Sequence, residues 1–367
     1  MLKKILKRML YTILVFVAVI GIGATTVLNL PSFGKTPSGE RLVRIQQSLN
    51  YRGGKFQNLE PTPHLTPNGN ILKNFYRYFF PDAQDLKPST VLPAVQTNLH
   101  TLPNKPMVWF EHSSYLLNVN KARVLIDPIF HSASPFSFMV ESFEATYNYS
   151  SADMPDTIEV LVLTHDHWDH LDYTVMKELK DRIQHVVCPL EVGAHLEYWG
   201  FAPTKITELD WQDETAVASL KFICLPARHF SGRGLNRDQS LWGSFILETG
   251  TYTIYIGGDG GYGKHIAEID KHFPHIDLAL MENGQYNQSW RYIHLLPKDL
   301  RRAMNEIGAK RYFTGHNSKF ALAKHSWYEL RNVQVYAKED GLNVITPKIG
   351  EVVHIDQPNE QFEVWFN

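Results

Sequence analysis

The sequence predicts a mixed α/β layered domain behind one membrane-crossing N-terminal helix. Three observations lead there. Runs with strand periodicity interleave with amphipathic helical runs from Met107 onward, a charge-free apolar stretch follows a basic N-terminus, and clusters of His and Asp stand directly after apolar runs. Interleaved elements of this kind share one layered core.

The N-terminus comes first. "MLKKILKRML" carries Lys3, Lys4, Lys7 and Arg8, and no charged residue follows until Lys35. A helix from Met9 to Leu30 spans about 33 Å at 1.5 Å per residue, enough for a hydrocarbon core. A cleaved signal peptide has a shorter apolar region, about 7–15 residues, ending at a small-residue site, and "GIGATT" matches such a site weakly. The stretch reads as an uncleaved anchor over 9–30. Residues 1–8 form its cytoplasmic basic flank, which places the large domain on the extracytoplasmic side. Residues 31–92, rich in Pro, Gly and Asn, read as a loop-rich lead segment, with "NFYRYFF" as a docking run.

From Met107 the elements follow in order. "MVWFEHSSYLLNV" and "ARVLIDPIF" read as two strands, "IEVLVLTH" as a third, and "YTVMKELKDR" as a helix capped near Asp172. "QHVVCP", "SLKFICLPA", "LWGSFILET" and "YTIYIGG" are strands, the last two forming a hairpin at "TGT". "KHIAEIDKHF" and "KDLRRAMNEI" are amphipathic helices beside the strands "IDLALMEN" and "KRYFTGH". "HSWYELRNVQVYAKED" closes as a helix and "GEVVHI" as a strand.

Composition removes some classes of function. A net charge of -2 gives no electrostatic reason for a nucleic-acid partner. Cys188 and Cys224 each end an apolar run without CxxC spacing, so they read as two buried free thiols.

The chemistry sits at the strand ends. His165, His167, Asp169 and His170 follow "VLVLT", His229 follows "FICLPAR", Asp259 follows "YTIYIGG", and His316 follows "RYFTG". Two divalent ions need six or more N/O ligands, and these seven residues supply them. In a near-extended segment His165 and His167 face the same way and serve one ion with His229. A turn after Trp168 directs Asp169 and His170 to a second ion completed by His316, and Asp259 bridges both. Asp169 and Asp259 are candidate catalytic residues, while His294, in "YIHLLPKD" just before a helix, reads on its own as a capping or packing histidine. His112 reads as an internal hydrogen-bonding residue, Trp168 as packing, and His131, His265, His272 and His275 as surface or structural. The apolar loop "ASPFSFMVESF" reads equally as an acyl-chain groove or as core.

"HDHWDH", followed by single His, Asp and His residues at later strand ends, resembles the metallo-β-lactamase superfamily. "VWFEHSSYLL", "VLIDPIF", "LTHDHWDHLD", "LPARHFSGRG", "GGDGGYG" and "TGHNSKF" resemble its branch of N-acylphosphatidylethanolamine-hydrolysing phospholipases D and their bacterial relatives. The resemblance runs over 93–367, the expected hydrolase domain. It implies a four-layered αββα sandwich with two metal ions at the sheet edges, and it places His294 on the substrate side as a third candidate catalytic residue, binding phosphate or assisting proton transfer. Two places depart from the family pattern. Glu111 stands where many relatives have Gly, and "HNSKF" differs from the final motif of the mammalian lipase.

The resulting expectation is a membrane-anchored hydrolase with two ions, zinc foremost and iron or manganese as alternatives. Its expected substrate is a phospholipid phosphodiester of the N-acylphosphatidylethanolamine kind. Another ester, a lactone, a β-lactam or a soluble phosphodiester is the alternative small-molecule substrate, and a catalytically idle metal-containing membrane scaffold is the alternative of another class.

Overall fold

A computed structural model describes residues 2–65, 76, 80 and 83–366. The run "NFYRYFF" lies outside the described residues apart from Tyr76 and Phe80. The first helix, α1 (Leu2–Leu28), is exposed from Lys3 to Thr26 and half-buried at Val27 and Leu28, and among the described residues it is the helix long and apolar enough to cross a membrane. After a turn at Pro31–Phe33 come α2 (Gly39–Ile45) and a small hairpin of β1 (Tyr51–Arg52) and β2 (Lys55–Phe56).

The domain is built on two seven-stranded sheets. The first carries β3 (Pro106–Trp109), β4 (Tyr115–Val119), β5 (Ala122–Ile126), β6 (Ile158–Val162), β7 (Ile183–Pro189) and β8 (Ile206–Leu209), with β16 (Val352–His354) beside β3. The second carries β9 (Glu214–Val217), β10 (Leu220–Leu225), β11 (Ser244–Glu248), β12 (Thr253–Ile256), β13 (Leu278–Glu282), β14 (Tyr312–Gly315) and β15 (Val344–Ile345), in that order. Pairing from β5 to β8 and from β12 to β15 is parallel, which requires crossover connections, helical in every case but the long loop from β5 to β6. The helices include α3 (Tyr173–Leu179), α4 (Val192–Tyr198), α5 (Lys264–His272) and α6 (Pro297–Ile307), with α7 (Asn332–Asp340) before β15.

Strand alternation separates the layers. Phe222 and Cys224 of β10, Ile254 and Ile256 of β12, and Leu278 and Leu280 of β13 join the main core with the first sheet. Their neighbours Ile223, Leu225, Tyr255, Ala279 and Met281 face the other way, against Ile266, Ile269, Leu300, Ala303 and Met304 of α5 and α6. The result is the expected αββα sandwich. Cys188 and Cys224 are free and buried, as expected.

Two readings need correction. The run Met107–Val119 is two strands, because the chain reverses at Phe110–Ser114 with Glu111 and His112 at φ of 71° and 50°. The helix over "HSWYELRNVQVYAKED" begins only as a 3-10 turn at Trp327–Arg331 before α7. The helix α4 and the strands β8, β9 and β15 carried no periodic signal strong enough to find from sequence. Asp172 does cap α3: Oδ1 accepts from the amides of Thr174 (2.9 Å) and Val175 (3.3 Å), while Oδ2 accepts from His131 N (2.9 Å).

The two departures from the family pattern meet in space. Lys319 Nζ lies 2.6 Å from Glu111 Oε2, and both side chains are buried. Burial pushes the Glu111 carboxyl up and Lys319 pulls it back. Beside them the amide of His112 donates to Asn317 O and that of His316 to His112 O, each at 2.8 Å. The loop carrying His112 and the loop carrying His316 are thus joined by two backbone bonds and a buried ion pair.

Removing one member of such a pair strands the other charge. Lys319→Met is expected to cost about 3–5 kcal/mol in chemical denaturation. Adding Glu111→Gly, which also suits the positive φ, should recover at least half of that loss. Asp172→Ala should cost about 1–2 kcal/mol in the same measurement, through the exposed first turn of α3.

Candidate metal centre

The ends of β5, β6, β10, β12, β13 and β14 face one edge of the sandwich, and the seven residues singled out from the sequence come together there. The geometry has two adjoining parts. In the first, His165 Nε2 lies 3.0 Å from His167 Nδ1, and His229 Nε2 lies 3.1 Å from the same atom. In the second, Asp169 Oδ2 lies 3.2 Å from His316 Nε2 and 3.8 Å from His170 Nε2. Asp259 stands between the parts: Oδ1 is 3.2 Å from His170 Nε2, and Oδ2 is 3.2 Å from His316 Nε2 and 3.9 Å from His229 Nε2.

The outer ring nitrogens show which lone pairs are free. The Thr164 hydroxyl donates to Asp127 Oδ2 at 2.6 Å, so His165 Nδ1–H, 3.0 Å from Thr164 Oγ1, donates to that oxygen. His229 Nδ1 donates to the Ile293 carbonyl at 2.7 Å, and His170 Nδ1 to Asp127 Oδ2 at 2.9 Å. Each of these rings therefore turns an Nε2 lone pair toward the common space. Carboxylate and carbonyl partners of this kind orient histidines that bind metal. His170 Nε2 and Asp259 Oδ1 are buried without a hydrogen-bond partner. Unpaired donors of electron density converging in a buried space fit divalent cations, and the all N/O donor set suits zinc, iron or manganese.

The electrostatics point the same way. Burial drives His165 and His229 well below the usual imidazole range, reinforced by their neighbouring rings. Burial also lowers His167 to about 4, against the pull of Asp166 and Asp169. Burial opposes charge on His170 too, but Asp259 and Asp169 outweigh it and hold that ring well above the usual range. Against the same burial Asp259 and Asp169 lift His316 to about 9. Both carboxylates are held well below their ordinary values, burial notwithstanding, chiefly by His170. The pocket draws positive charge inward, the profile of a cation site.

Local sequence explains the shape. Gly258 sits at φ 58°, and a Cβ there would lie 2.8 Å from Thr164. A Cβ on Gly261 would lie 2.2 Å from the Tyr292 carbonyl, so the chain folds closely around Asp259 only with glycine at both places. His112, Asp127 and His316 are held at φ 50°, 39° and 63°, a strained backbone common where side chains must be aimed.

Other residues enter the site that the sequence did not mark. Asp127 orients His170 and also accepts from the Thr164 amide at 2.8 Å. Glu282 Oε2 accepts from His294 Nδ1 at 2.7 Å and lies 3.3 Å from His316 Nδ1. His112 Nε2 is 3.0 Å from Asp169 Oδ2, a hydrogen-bonding place that also puts it within reach of the second part. Asp166, inside "HDHWDH", turns away from the centre: it accepts from Gly232 N (2.7 Å) and Ser240 Oγ (2.9 Å) and lies 3.2 Å from His195 Nε2. Only the strand-end position of Asp127 in "VLIDP" and of Glu282 in "LALMEN" hinted at either role.

His294 lies beside both parts, with Nδ1 3.8 Å from Asp259 Oδ2 and its ring stacked 5.4 Å from that of His316. Trp168 packs as expected, edge-on to Phe33 at 5.0 Å and under the Arg233 guanidinium at 4.0 Å. His131, His272 and His275 are exposed and His265 is half-buried.

Comparison with known proteins agrees with this architecture. The family model of the beta-lactamase superfamily domain matches residues 122–317. An uncharacterized protein of Mycobacterium tuberculosis is 32% identical over 328 residues, covering 87% of this chain and 88% of its own. The N-acyl-phosphatidylethanolamine-hydrolyzing phospholipase D 1 of Caenorhabditis elegans is 27% identical over 225 residues, covering 54% of this chain and 62% of its own. Among solved structures, CmlA, a diiron beta-hydroxylase from Streptomyces venezuelae, superposes with a TM-score of 0.54 at 14% identity, over 69% of this chain and 55% of its own, a likeness of fold. With the family model across more than half its length and a relative matched almost end to end, this chain belongs to the metallo-β-lactamase superfamily of metal-dependent hydrolases.

Proposed function

We propose that the protein is a membrane-anchored dinuclear hydrolase that cleaves a phosphodiester in phospholipase D fashion, acting on lipids of the N-acylphosphatidylethanolamine kind. One observation carries the reading: two adjoining sets of buried donor atoms share Asp259. In this proposal His165, His167, His229 and Asp259 hold one ion, and Asp169, His170, Asp259 and His316 hold the other. The similarity to the nematode phospholipase D supports the choice of bond, and the apolar helix α1 supports a lipid substrate. Residues 9–30 are the anchor, 31–92 lead from it, and 93–367 form the hydrolase domain on the extracytoplasmic side. Phe138 and Met139, exposed at the tip of the loop after β5, suit contact with acyl chains better than a place in the core.

Two divalent ions, when bound, lower the pKa of a water they share and stabilise negative charge on the reacting phosphoryl group. The chain's own residues do the rest. Asp127 and Thr164 keep His170 and His165 in the tautomers that present Nε2. Glu282 holds the proton of His294 on Nδ1, which leaves Nε2 as the atom that meets the substrate. Neutral His294 then has a lone pair at Nε2, which takes up a proton released by the attacking water, and the imidazolium so formed pairs with a phosphoryl oxygen or gives that proton to the departing alkoxide. The surrounding imidazoles and the aromatic ring of Phe230, 4.3 Å from that of His167, limit water at the reacting atoms.

Elemental analysis of the protein purified without chelator is expected to find two metal equivalents per chain, falling in His165→Ala and in Asp259→Ala. A folded protein that takes up no metal on titration would sink the reading and leave a membrane scaffold in its place. In an assay panel, N-acylphosphatidylethanolamine should yield phosphatidate and the N-acylethanolamine, with soluble esters, lactones and β-lactams turned over weakly. Strong turnover of a soluble substrate alone would overturn the lipid assignment while keeping the metal chemistry. His294→Ala should lower kcat by about 10²–10⁴-fold while two ions remain bound.

A further inference from the structure

The lead segment does not hang between anchor and domain. It wraps the metal-centre loops and grips both of the ligand-bearing loops in the first part of the site. Asn58 closes a two-bond ring on the backbone of His229: its Nδ2 donates to the His229 carbonyl at 2.7 Å, and its Oδ1 accepts from the His229 amide at 3.1 Å. His229 lies beyond the end of β10, where no strand partner serves its peptide groups. Asn58 therefore supplies the pairing that a ladder would supply inside a sheet. Next to it, Arg228 Nη2 donates to Pro61 O (2.9 Å) and Nε to Thr62 Oγ1 (3.0 Å), so the same segment also holds the residue before His229.

The second grip is on "HDHWDH". Arg233 Nη1 donates to the carbonyls of Asp166 (2.9 Å) and Leu171 (2.6 Å), at either end of the turn that carries His167, Asp169 and His170. The Nε of the same side chain donates to Ser32 O at 2.9 Å, and its guanidinium lies over Trp168, whose other contact is the Phe33 ring. Trp199 Nε1 fixes Pro31 O at 2.7 Å, and the Lys35 amide lies 2.9 Å from His195 Nδ1. Ser32, Phe33 and Asn58 all precede the stretch matched by the family model.

We propose that Asn58 is a positioning residue for the ion held by His165, His167 and His229, and that residues 31–65 are a strap on which the affinity of that site depends. Fixing the His229 peptide holds Nε2 at its place in the donor set. Loss of an orienting partner outside the ligand set commonly weakens metal affinity about 10–100-fold. The proposal rests on the dinuclear reading above.

The test uses full-length protein in detergent, stripped of metal and titrated with zinc against a competing chelator. Asn58→Ala should weaken one of the two zinc ions about 10–100-fold and leave the other unchanged. Asn50→Ala is the comparison variant: Asn50 pins the strap to Asp210 at 3.0 Å and touches no proposed ligand, so it should keep both affinities even if it unfolds at a lower temperature. Equal zinc affinities in Asn58→Ala and the parent protein would overturn the proposal. An equal loss in Asn50→Ala would overturn it too, by showing general loosening. If the parent protein binds neither zinc nor iron nor manganese, the reading of the centre itself fails, an outcome separate from the other two.

Discussion

Two carboxylates buried among imidazoles set the terms for the rest of this structure. Asp259 is buried and only 13% of the Asp169 side chain is exposed, and charge so placed is tolerated only where positive charge and hydrogen-bond donors meet it. The fold meets that need by ending six strands of two sheets at one edge and turning the following loops toward the same point. His165, His170, His229 and His294 are then tied from behind, by Thr164, Asp127, the Ile293 carbonyl and Glu282 in turn. The side chains cannot swing outward to water without breaking those ties.

The strained backbone at His112, Asp127 and His316 belongs to the same constraint. A left-handed conformation in a residue other than glycine costs of order 1 kcal/mol and persists only when its surroundings impose it. Here the surroundings are the paired amides between the His112 and His316 loops and the Glu111–Lys319 ion pair behind them. The Glu111–Lys319 pair thus sits in the support of the site and leaves the donor atoms in place.

Much of the fold was legible in the sequence because the sheets are covered on both faces, so β6, β7, β10 and β13 read as near-continuous apolar runs. Short edge strands such as β9 and β15 were not, since they bury too little to impose a pattern. In the site, the residues of "HDHWDH" were legible because their spacing acts within one turn of chain. His229, Asp259 and His316 were legible through their place after strands and His294 through the family resemblance, and the four do converge.

What the sequence determined by itself was the set of donor types, their order after apolar runs, and an N-terminal stretch with the length and apolarity of a membrane span. These are local properties, written in neighbouring residues. The tertiary structure alone decided the partners behind the donors: Asp127 lies 43 residues from His170, Asn58 171 from His229, and Glu111 208 from Lys319. Nothing local in the chain marks such pairs, because a hydrogen bond or ion pair depends on separation in space, and that distance exists only once the two sheets have packed and the strap has closed over their edge.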